Sequence, residues 1–443
     1  MSPRFQLEVS PFRGMLGYAV DERLMTESVL HLSSLVGSPL LDSSGERLGK
    51  VEDLIARLDA GNVLPPITGL KARIGGREMF VPADRIAGLE QAAARTSTTK
   101  LNLAQFERRP GEVLLRRDVL GRSLINVATA RLVTAREVEL VREGDVWRVA
   151  GIDPTIRASM WRFLPRRFRG HEGEHAQFVP WSETEAFVGH VPTSRLRLAS
   201  RRLARLHPAQ IADLVEAASH AEGEEILKAV ADDKELEADV FEELNDEHQV
   251  EFLRDRSDPE IAAVLGRMGS DDAADLLLEI EQDRRIPVLN LLSSAKQTKI
   301  KRLLGYNPST AGGLMNPDFA SLPAGATVGQ ALASLRSSEL EPSQLLTLWV
   351  IDADGHLAGG VLASELVRAA EQAIVSELIE SAVPTVAPET ELPEVARLMA
   401  DFDLLAIPVI DSDEKPIGVV AVDDVIELLL PEGWRRRAGL ARG

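Results

Sequence analysis

Near the carboxyl end, the stretch Ala406-Ile-Pro-Val-Ile-Asp-Ser-Asp-Glu-Lys-Pro-Ile-Gly-Val-Val-Ala-Val-Asp-Asp-Val425 carries the pattern that decides the fold of its region. Its first five residues predict a strand, Asp411–Glu414 predict a turn, and Gly418–Val422 predict a second strand. A helix is predicted at Asp423–Leu430, and another, Leu392–Met399, precedes the first strand. This order of elements indicates an α/β unit.

The same order occurs once earlier in the chain. The predicted helix, strand, turn, strand and helix of that copy are Thr327–Leu335, Leu346–Ile351, Asp352–Gly355, Gly360–Leu362 and Ser364–Ala370. Two copies of such a unit usually pack as a two-fold pair with a cleft between them. We call them the first α/β repeat (314–376) and the second α/β repeat (377–431).

The region before the repeats, residues 201–313, has a helical pattern. Short amphipathic segments follow one another, each with apolar residues at i, i+3 and i+4 and with cap residues at its ends. They are Pro208–Ala217, Gly223–Val230, Leu236–Leu244, Gln249–Asp255, Ile261–Met268, Ala273–Ile280, Arg284–Leu292 and Ala295–Leu304. Helices this short are marginal alone but share one core when stacked, so we predict an α-helical superhelix.

The amino-terminal part predicts strands and turns instead, and it contains a repeat. Val36-Gly-Ser-Pro-Leu-Leu-Asp42 matches Leu120-Gly-Arg-Ser-Leu-Ile-Asn126 at an offset of 84 residues. Strands at this spacing favour small β-barrels. The two segments, 30–110 and 111–165, resemble PRC-barrel units, which occur in a ribosome-maturation factor and in the H subunit of the photosynthetic reaction centre. That resemblance implies a docking module. The fold class predicted for the whole chain is therefore multidomain α+β.

Composition limits the compartment and the partners. The chain has no cysteine, so disulfides and thiolate metal sites are excluded. We expect no signal peptide and no membrane span, and we expect a cytoplasmic protein. Residues 1–205 contain 31 Lys and Arg against 24 Asp and Glu, whereas residues 206–443 contain 19 against 45. The acidic half disfavours nucleic acid and either attracts cations or serves solubility.

Three further segments complete the predicted organisation. Residues 1–29 form a lead-in, residues 166–200 a basic and aromatic linker, and residues 432–443 a basic tail. Basic residues interleaved with aromatic ones can bind nucleic acid or a membrane surface, or can pack on an acidic neighbouring domain. The pattern leaves both readings open.

Several motifs in the second half together resemble a known family. In chain order they are Leu206-His-Pro-Ala-Gln-Ile-Ala-Asp-Leu214, Asp271-Asp-Ala-Ala-Asp-Leu-Leu277, Tyr306-Asn-Pro-Ser-Thr-Ala-Gly-Gly-Leu-Met315, Thr327-Val-Gly-Gln-Ala-Leu332, Asp403-Leu-Leu-Ala-Ile-Pro-Val409 and Gly418-Val-Val-Ala-Val-Asp-Asp-Val425. Over about 205–430 the chain resembles the cytosolic part of MgtE magnesium channels, a helical N domain followed by a tandem CBS pair. Thr310–Met315 is the most specific of these segments.

The resemblance implies a magnesium sensor whose acidic surfaces clamp together around the ion. Five carboxylates match the family's acidic positions and are the expected Mg²⁺ ligands, namely Asp271, Asp275, Asp403, Asp424 and Glu427. Each could instead lie on a solvated helix face or cap a helix. We expect Asp272 and Asp423 to be caps.

An adenine nucleotide is the alternative ligand. CBS pairs that bind one often carry a hydroxyl two residues before an x-Asp, with the acid on the ribose. The second repeat has the acid at Asp424 but Ala421 in place of the hydroxyl, and the first repeat, at Ala363-Ser-Glu-Leu366, lacks the acid. A nucleotide site is therefore a weaker expectation, confined to Asp424.

The expected function is a cytosolic magnesium-responsive regulator that is neither an enzyme nor itself a transporter, because no channel segment follows the CBS pair. The alternatives are a nucleotide-sensing CBS module and a docking scaffold or soluble subunit of a membrane transporter or a ribonucleoprotein. The resemblance further implies a homodimer through the CBS pair and an unknown protein partner of the barrels.

Overall fold

The computed structural model describes residues 29–58, 64–90, 92–98, 104–109, 111–155, 178–186, 202–340, 342, 344–379 and 383–430. They belong to two compact units, Met1–Ala199 and Ser200–Gly443. The predicted basic tail lies outside the described residues, as does the predicted lead-in except residue 29, and of the predicted linker only 178–186 is described. In this described part, no helix combines the length and the apolar character needed to cross a membrane.

The described part of the first unit consists mainly of short strands. They are β1 (Leu30–His31), β2 (Pro39–Leu41), β3 (Arg47–Arg57), β4 (Ile67–Ile74), β5 (Arg77–Pro82), β6 (Ile86–Glu90), β7 (Ala93–Thr96), β8 (Ala104–Gln105), β9 (Glu112–Leu114), β10 (Ser123–Asn126), β11 (Arg131–Thr134), β12 (Glu137–Glu143), β13 (Val146–Asp153), β14 (Val179–Pro180) and β15 (Thr184–Ala186). Helix α1 (Leu32–Leu35) follows β1, and Leu115–Val119 form a single π-helical turn.

These strands form open sheets rather than closed barrels. The largest has the order β6-β7-β2-β3-β4-β5-β8, with β9 also paired to β3, and the others have the orders β1-β12-β13-β14 and β11-β10-β15. The prediction of PRC-like barrels is therefore not confirmed. The strand-rich character of the region and the mixed α+β class agree with the predictions made from the sequence.

The 84-residue repeat is visible in the hydrogen bonds. The N–H of Gly37 donates to the carbonyl of Val51 (2.9 Å), and the N–H of Gly121 donates to that of Ala135 (2.6 Å). Both glycines have a positive φ, 87° and 81°, a backbone conformation that residues other than glycine rarely adopt. The two halves therefore turn in the same way at equivalent positions.

The two repeats also exchange their leading strands. Leu30 of β1 pairs with Leu140 of β12, whereas Leu114 of β9 pairs with Ile55 of β3. Each leading strand thus joins the long strand of the other repeat. One hydrophobic core contains residues from both sides of the predicted boundary at 110 and 111.

Two buried carboxylates strengthen this exchange. Asp53 accepts the N–H groups of Arg116 (2.7 Å) and Arg117 (3.1 Å), and Glu137, at the equivalent position 84 residues later, accepts the N–H of Ser33 (3.0 Å). Each acid thereby binds the helical turn of the other repeat. Burial raises the pKa of Asp53 to about 6 despite the hydrogen bonds that favour its charged form.

The second unit begins with a series of short helices. They are α2 (Pro208–Ala217), α3 (His220–Val230), α4 (Lys234–Glu242), α5 (Asp246–Arg254), α6 (Asp258–Leu265), α7 (Ser270–Glu279), α8 (Gln282–Leu291) and α9 (Ser294–Leu303). All the helices predicted in this region are present. Several begin up to three residues early, because capping residues such as Ser257, which forms a capping box with Glu260, stand one turn before the apolar pattern.

The remainder of the second unit has the two predicted α/β repeats. After the short helix α10 (Ala311–Leu314), the elements are β16 (Ser321–Pro323), α11 (Val328–Ser337), β17 (Thr347–Ile351), β18 (Leu357–Leu362), α12 (Ala363–Arg368), α13 (Leu392–Asp401), β19 (Ala406–Ile410), β20 (Pro416–Ala421) and α14 (Val422–Leu429). Strand β16 runs parallel to β17, and Val386 forms the equivalent parallel bridge with Val409 of β19.

Candidate metal centre

The segment 311–316, which leads from the helical region into the first α/β repeat, hydrogen-bonds to the second α/β repeat. The N–H of Gly312 donates to the carbonyl of Pro388 (2.8 Å). Asn316 and Val419 of β20 exchange backbone hydrogen bonds of 2.8 and 3.0 Å. Because of this pairing, the helical region is held close to strand β20 and to the helix that follows it, α14.

Asn316 pairs with β20 through its backbone and contacts helix α7 through its side chain. Its Nδ2 donates to Oδ1 of Asp271, in the first turn of α7, over 3.0 Å. Gly269 is the N-cap residue of α7, and a Cβ there would lie 2.7 Å from a carboxylate oxygen of Asp271 and of Asp272. A glycine is therefore required if both carboxylates are to fold back over the start of the helix.

The acidic first turns of helices α7 and α14 interact with each other. We call this group of carboxylates, Asp271, Asp272, Asp423, Asp424 and the nearby Glu427, the acidic junction. Burial raises the pKa of Asp271 to about 7, and repulsion from Asp424 adds to the rise. Burial likewise raises the pKa of Asp424 to about 7, with repulsion from Asp423, Asp272 and Glu427. Each protonation change thus depends on charges from both helices, so ionising the whole group costs free energy unless a cation is present.

Electrostatic interactions link three of the five predicted ligands. Asp271, Asp424 and Glu427 belong to the acidic junction. Asp275 is exposed, yet partial burial of its carboxylate raises its pKa to about 6. Repulsion from Asp246 and Glu279 adds to the rise, and both of these acids belong to the helical region.

Asp403 occupies a distinctive position of its own. It is exposed in the turn between α13 and β19, with a φ of 54°. Aspartate is one of the few residues other than glycine that adopt this left-handed conformation readily. This conformation favours an aspartate at the position, and the role of Asp403 as a magnesium ligand stays a prediction.

Asp272 and Asp423 differ from the expectation that they cap helices. The N-cap residues are Gly269 for α7 and Ala421 for α14, so both aspartates lie inside the first helical turn. Both charges repel that of Asp424, Asp423 from the same helix and Asp272 from α7. Aspartate in a first turn also interacts favourably with the helix dipole.

Sequence reasoning missed the polar side chains that frame the junction. Asp318 accepts a hydrogen bond from Ser270 Oγ (2.8 Å) and pairs with the ammonium of Lys299 on α9. Glu242, at the end of α4, accepts the N–H of Gly269 (2.6 Å). These partners are separated by 19 to 48 residues, so no local spacing pattern could have indicated them.

A tighter group of possible ligands lies elsewhere. Among the described residues, three ligand atoms come within 4.8 Å of one another at Asp352, Asp354 and His356, in the turn between β17 and β18. There Asp352 Oδ1 accepts the N–H groups of Asp354 (2.9 Å) and His356 (2.8 Å), which hold the pKa of Asp352 below its ordinary value. This arrangement is accounted for by the turn itself.

Comparison with known proteins finds two family models that match parts of the second unit. Residues 206–309 match the family model of the MgtE intracellular N domain, and residues 375–431 match that of the CBS domain. The second unit thus contains one segment similar to each of these two models, and below we call the helical region the N domain and the two α/β repeats together the CBS pair. The second α/β repeat is the CBS domain matched directly, and the first repeat has the same order of elements.

The relatives are magnesium transporters. The chain is 30 % identical over 200 residues to the magnesium transporter MgtE of Thermus thermophilus, a match that covers 44 % of each chain. It is 31 % identical over 148 residues to that of Enterococcus faecalis, covering 33 % of each. The chain thus spans less than half the length of these curated relatives.

A solved structure is also similar, that of the cytosolic domain of the Mg²⁺ channel MgtE in complex with ATP. Its identity to this chain is 28 % and its TM-score 0.48, and the match covers 52 % of this chain and 93 % of the other.

Proposed function

We propose that the second unit is a magnesium-responsive regulatory module. The observation that carries the proposal is the convergence of Asp271 on the N domain with Asp424 on the CBS pair. Both pKa values are raised to about 7, and each carboxylate lies in the first turn of a different helix. Asp272, Asp423 and Glu427 would complete an oxygen-rich site for a hydrated divalent cation.

The physical basis is differential binding to two states. With the junction closed and no cation bound, apposed carboxylates repel, so the N domain and the CBS pair separate more easily. A cation that bridges the carboxylates binds the closed state better and shifts the population toward it. A tenfold excess of free ion over its dissociation constant stabilises the closed state by about 1.4 kcal/mol.

The relatives support the assignment of ion and setting. They are named as magnesium transporters, and the matched N domain is described as intracellular. We therefore propose a cytoplasmic, non-catalytic role in which the module reports magnesium to a partner, with a membrane transporter as the partner class. The first unit would supply the docking surface, as its internal repeat and its likeness to PRC-type sequences favour.

An adenine nucleotide is a less favoured ligand. Asp272 of the N domain repels the charged form of Asp424, the carboxylate that would bind the ribose. A nucleotide phosphate near this acid would add further negative charge to an acidic region. Calorimetric titration with ATP, ADP and AMP, each with and without magnesium, decides whether it binds in addition to the ion.

The CBS pair carries a surface suited to a second copy of the chain. Val367 and Ile426 occupy the fifth position of α12 and α14 and are 74 % and 50 % exposed. Leu346 and Leu405, each just before a strand, are 48 % and 47 % exposed. Because both repeats present the same apolar positions, the patch has the two-fold character of a homodimer interface, and we propose that it is one.

Thermal unfolding in EDTA and in 10 mM MgCl₂ tests the magnesium proposal. We expect the wild-type protein to gain a few degrees in Tm with magnesium, about 2–4 °C for each kcal/mol in a unit of this size. Asp271→Asn should lose most of that gain, whereas Asp283→Asn, an exposed first-turn acid of α8, should retain it. Equal magnesium shifts in all three proteins would refute the site, and no shift in the wild-type protein would refute the function.

A further inference from the structure

The acidic junction already contains a positive charge from the protein. The ammonium of Lys296, on α9, donates to the carbonyl of Met268, one residue before the N-cap of α7. Helix α9 packs against α7, so this side chain is directed toward the start of α7. A carbonyl is uncharged, and the positive charge is therefore not neutralised by its hydrogen-bond partner.

Three carboxylates act on this ammonium. Burial lowers the pKa of Lys296, whereas attraction from Asp318, Asp271 and Glu242 opposes that effect and Lys299 adds repulsion. Asp271 is a predicted ligand, Glu242 binds the N–H of Gly269, and Asp318 binds Ser270. The ammonium is thus attracted by Asp318 and Glu242 as well as by Asp271, whereas Asp424 acts on Asp271 from α14.

Lys299 differs from Lys296 although both lie on the same helix. Lys299 pairs directly with Asp318, and that carboxylate in turn binds Ser270 Oγ. Its charge is therefore matched within one ion pair. Lys296 has no such one-to-one match in the described hydrogen bonds, and its charge is shared among the surrounding acids.

We propose that Lys296 is a resident cation of the acidic junction. In the absence of metal, its charge helps to hold the N domain on the CBS pair. The lysine thereby sets how much closure depends on magnesium. The magnesium part of this inference rests on the proposed function. The electrostatic reason is simple. The lysine offsets repulsion on the Asp318 and Glu242 side, and a divalent ion is left to offset repulsion on the Asp424 side. Without the lysine, the closed state costs more in the absence of metal, and magnesium has more repulsion to relieve.

The test uses four full-length proteins. Lys296→Gln removes the charge but retains a donor for the Met268 carbonyl, and Lys296→Arg keeps the charge. Lys301→Met is the matched control, because Lys301 lies on the same helix, is exposed and contacts only the neutral Gln297 among the described residues. Tm is measured for each and for the wild type in EDTA and in 10 mM MgCl₂.

We expect Lys296→Gln to unfold about 2–4 °C below Lys301→Met in EDTA and to show a magnesium shift larger than that of the wild type by a similar amount. Lys296→Arg should restore both values toward wild type. A Lys296→Gln protein that folds only with magnesium gives the same support. A protein that is destabilised equally in both conditions, or that matches Lys301→Met in both, contradicts the proposal.

The two proposals fail in different ways. If the wild-type protein does not respond to magnesium, the proposed function fails, and the resident-cation idea is then decided in EDTA alone. There, the deficit of Lys296→Gln relative to Lys301→Met should shrink in 1 M NaCl, because salt screens the unmatched acids. If the wild-type protein responds but Lys296→Gln shifts no more than it does, only the resident-cation proposal fails.

Discussion

Asn316 joins the two sides of the acidic junction with one side chain and one backbone segment. Its Nδ2 lies 3.0 Å from Asp271 Oδ1, while its backbone pairs with Val419 of β20. A neutral donor thus lies beside a carboxylate that Asp424 and Glu242 repel. The contact adds a favourable hydrogen bond in a region whose other side chains are mainly acidic.

Replacing this donor with an acid should make closure depend more strongly on the ion. Asn316→Asp has the same shape but places a carboxylate against that of Asp271, and it removes a hydrogen bond to a charged group, worth about 1.5–3 kcal/mol. We expect a lower Tm in EDTA and a magnesium shift larger than that of the wild type, measured by thermal unfolding.

Asn290→Asp serves as the control for that variant. Asn290 is exposed at the end of α8, so the same change of charge there should leave the magnesium shift unaltered. An Asn316→Asp protein with a wild-type magnesium shift would show that the ion does not act near Asp271.

The proposed dimer depends on the apolar positions that the two CBS repeats share. Val367→Glu combined with Ile426→Glu places charges in the patch, and burying them against a second copy would be costly. We expect a dimer for the wild-type protein and a monomer for the double variant, measured by size-exclusion chromatography with light scattering at tens of micromolar.

Ile286→Glu is the matched control for the dimer. Ile286 is 68 % exposed but lies on the N domain, so its replacement should leave the dimer intact. A monomeric wild-type protein, or a double variant that remains dimeric, would exclude this surface as the interface.

Glu139 on β12 should make the first unit sensitive to pH. Burial raises its pKa from 4.5 to about 7, His31 opposes the rise, and Asp153 and Glu137 add to it. An acid with a raised pKa binds its proton more tightly in the folded state. Its neutral form is therefore compatible with full stability at low pH, and stability falls as the pH rises from about 4.5 to about 7.

Glu139→Gln removes the charge that is costly to bury. We expect no gain in unfolding free energy at pH 4.5 and a gain of as much as about 3 kcal/mol at pH 8, since each pKa unit corresponds to 1.36 kcal/mol. Urea unfolding of the full chain, followed by hydrogen exchange of peptides from β12 and β13, measures it. Glu143→Gln at the exposed end of β12 should show no such pH dependence. A constant difference between Glu139→Gln and wild type at both pH values would contradict the assignment.

The elements that local pattern determines could be predicted from the sequence. The short helices α2 to α9 have apolar faces and caps, and the two α/β repeats have turns rich in aspartate and glycine between apolar strands. In the first unit, the sequence revealed the 84-residue repeat but not which strands pair with each other. The exchange of β1 and β9 depends on contacts such as Leu30 with Leu140, which no local pattern encodes.

The same limit applies to the acidic junction. Asp271 and Asp424 were predicted because they match positions in a known family, and so was Asp403, whose left-handed turn conformation also favours an aspartate. Asn316 and Lys296 were not predicted, because an amide and an amine in ordinary polar segments gain their roles only from what tertiary packing places beside them. Acids can be recognised by motif, whereas their neutralising partners require the structure.

The central claim, that magnesium closes the N domain on the CBS pair, is tested most directly by a distance. The chain has no cysteine, so Ala221→Cys and Ser412→Cys, at exposed positions on the N domain and on the second CBS repeat, can each take one spin label. Pulsed electron–electron double resonance then gives the distribution of distances between them. We predict a broad distribution with long distances in EDTA and a narrow, shorter one in 10 mM MgCl₂, with the change reduced by Asp271→Asn. A distribution that is the same in EDTA and in magnesium would contradict the account.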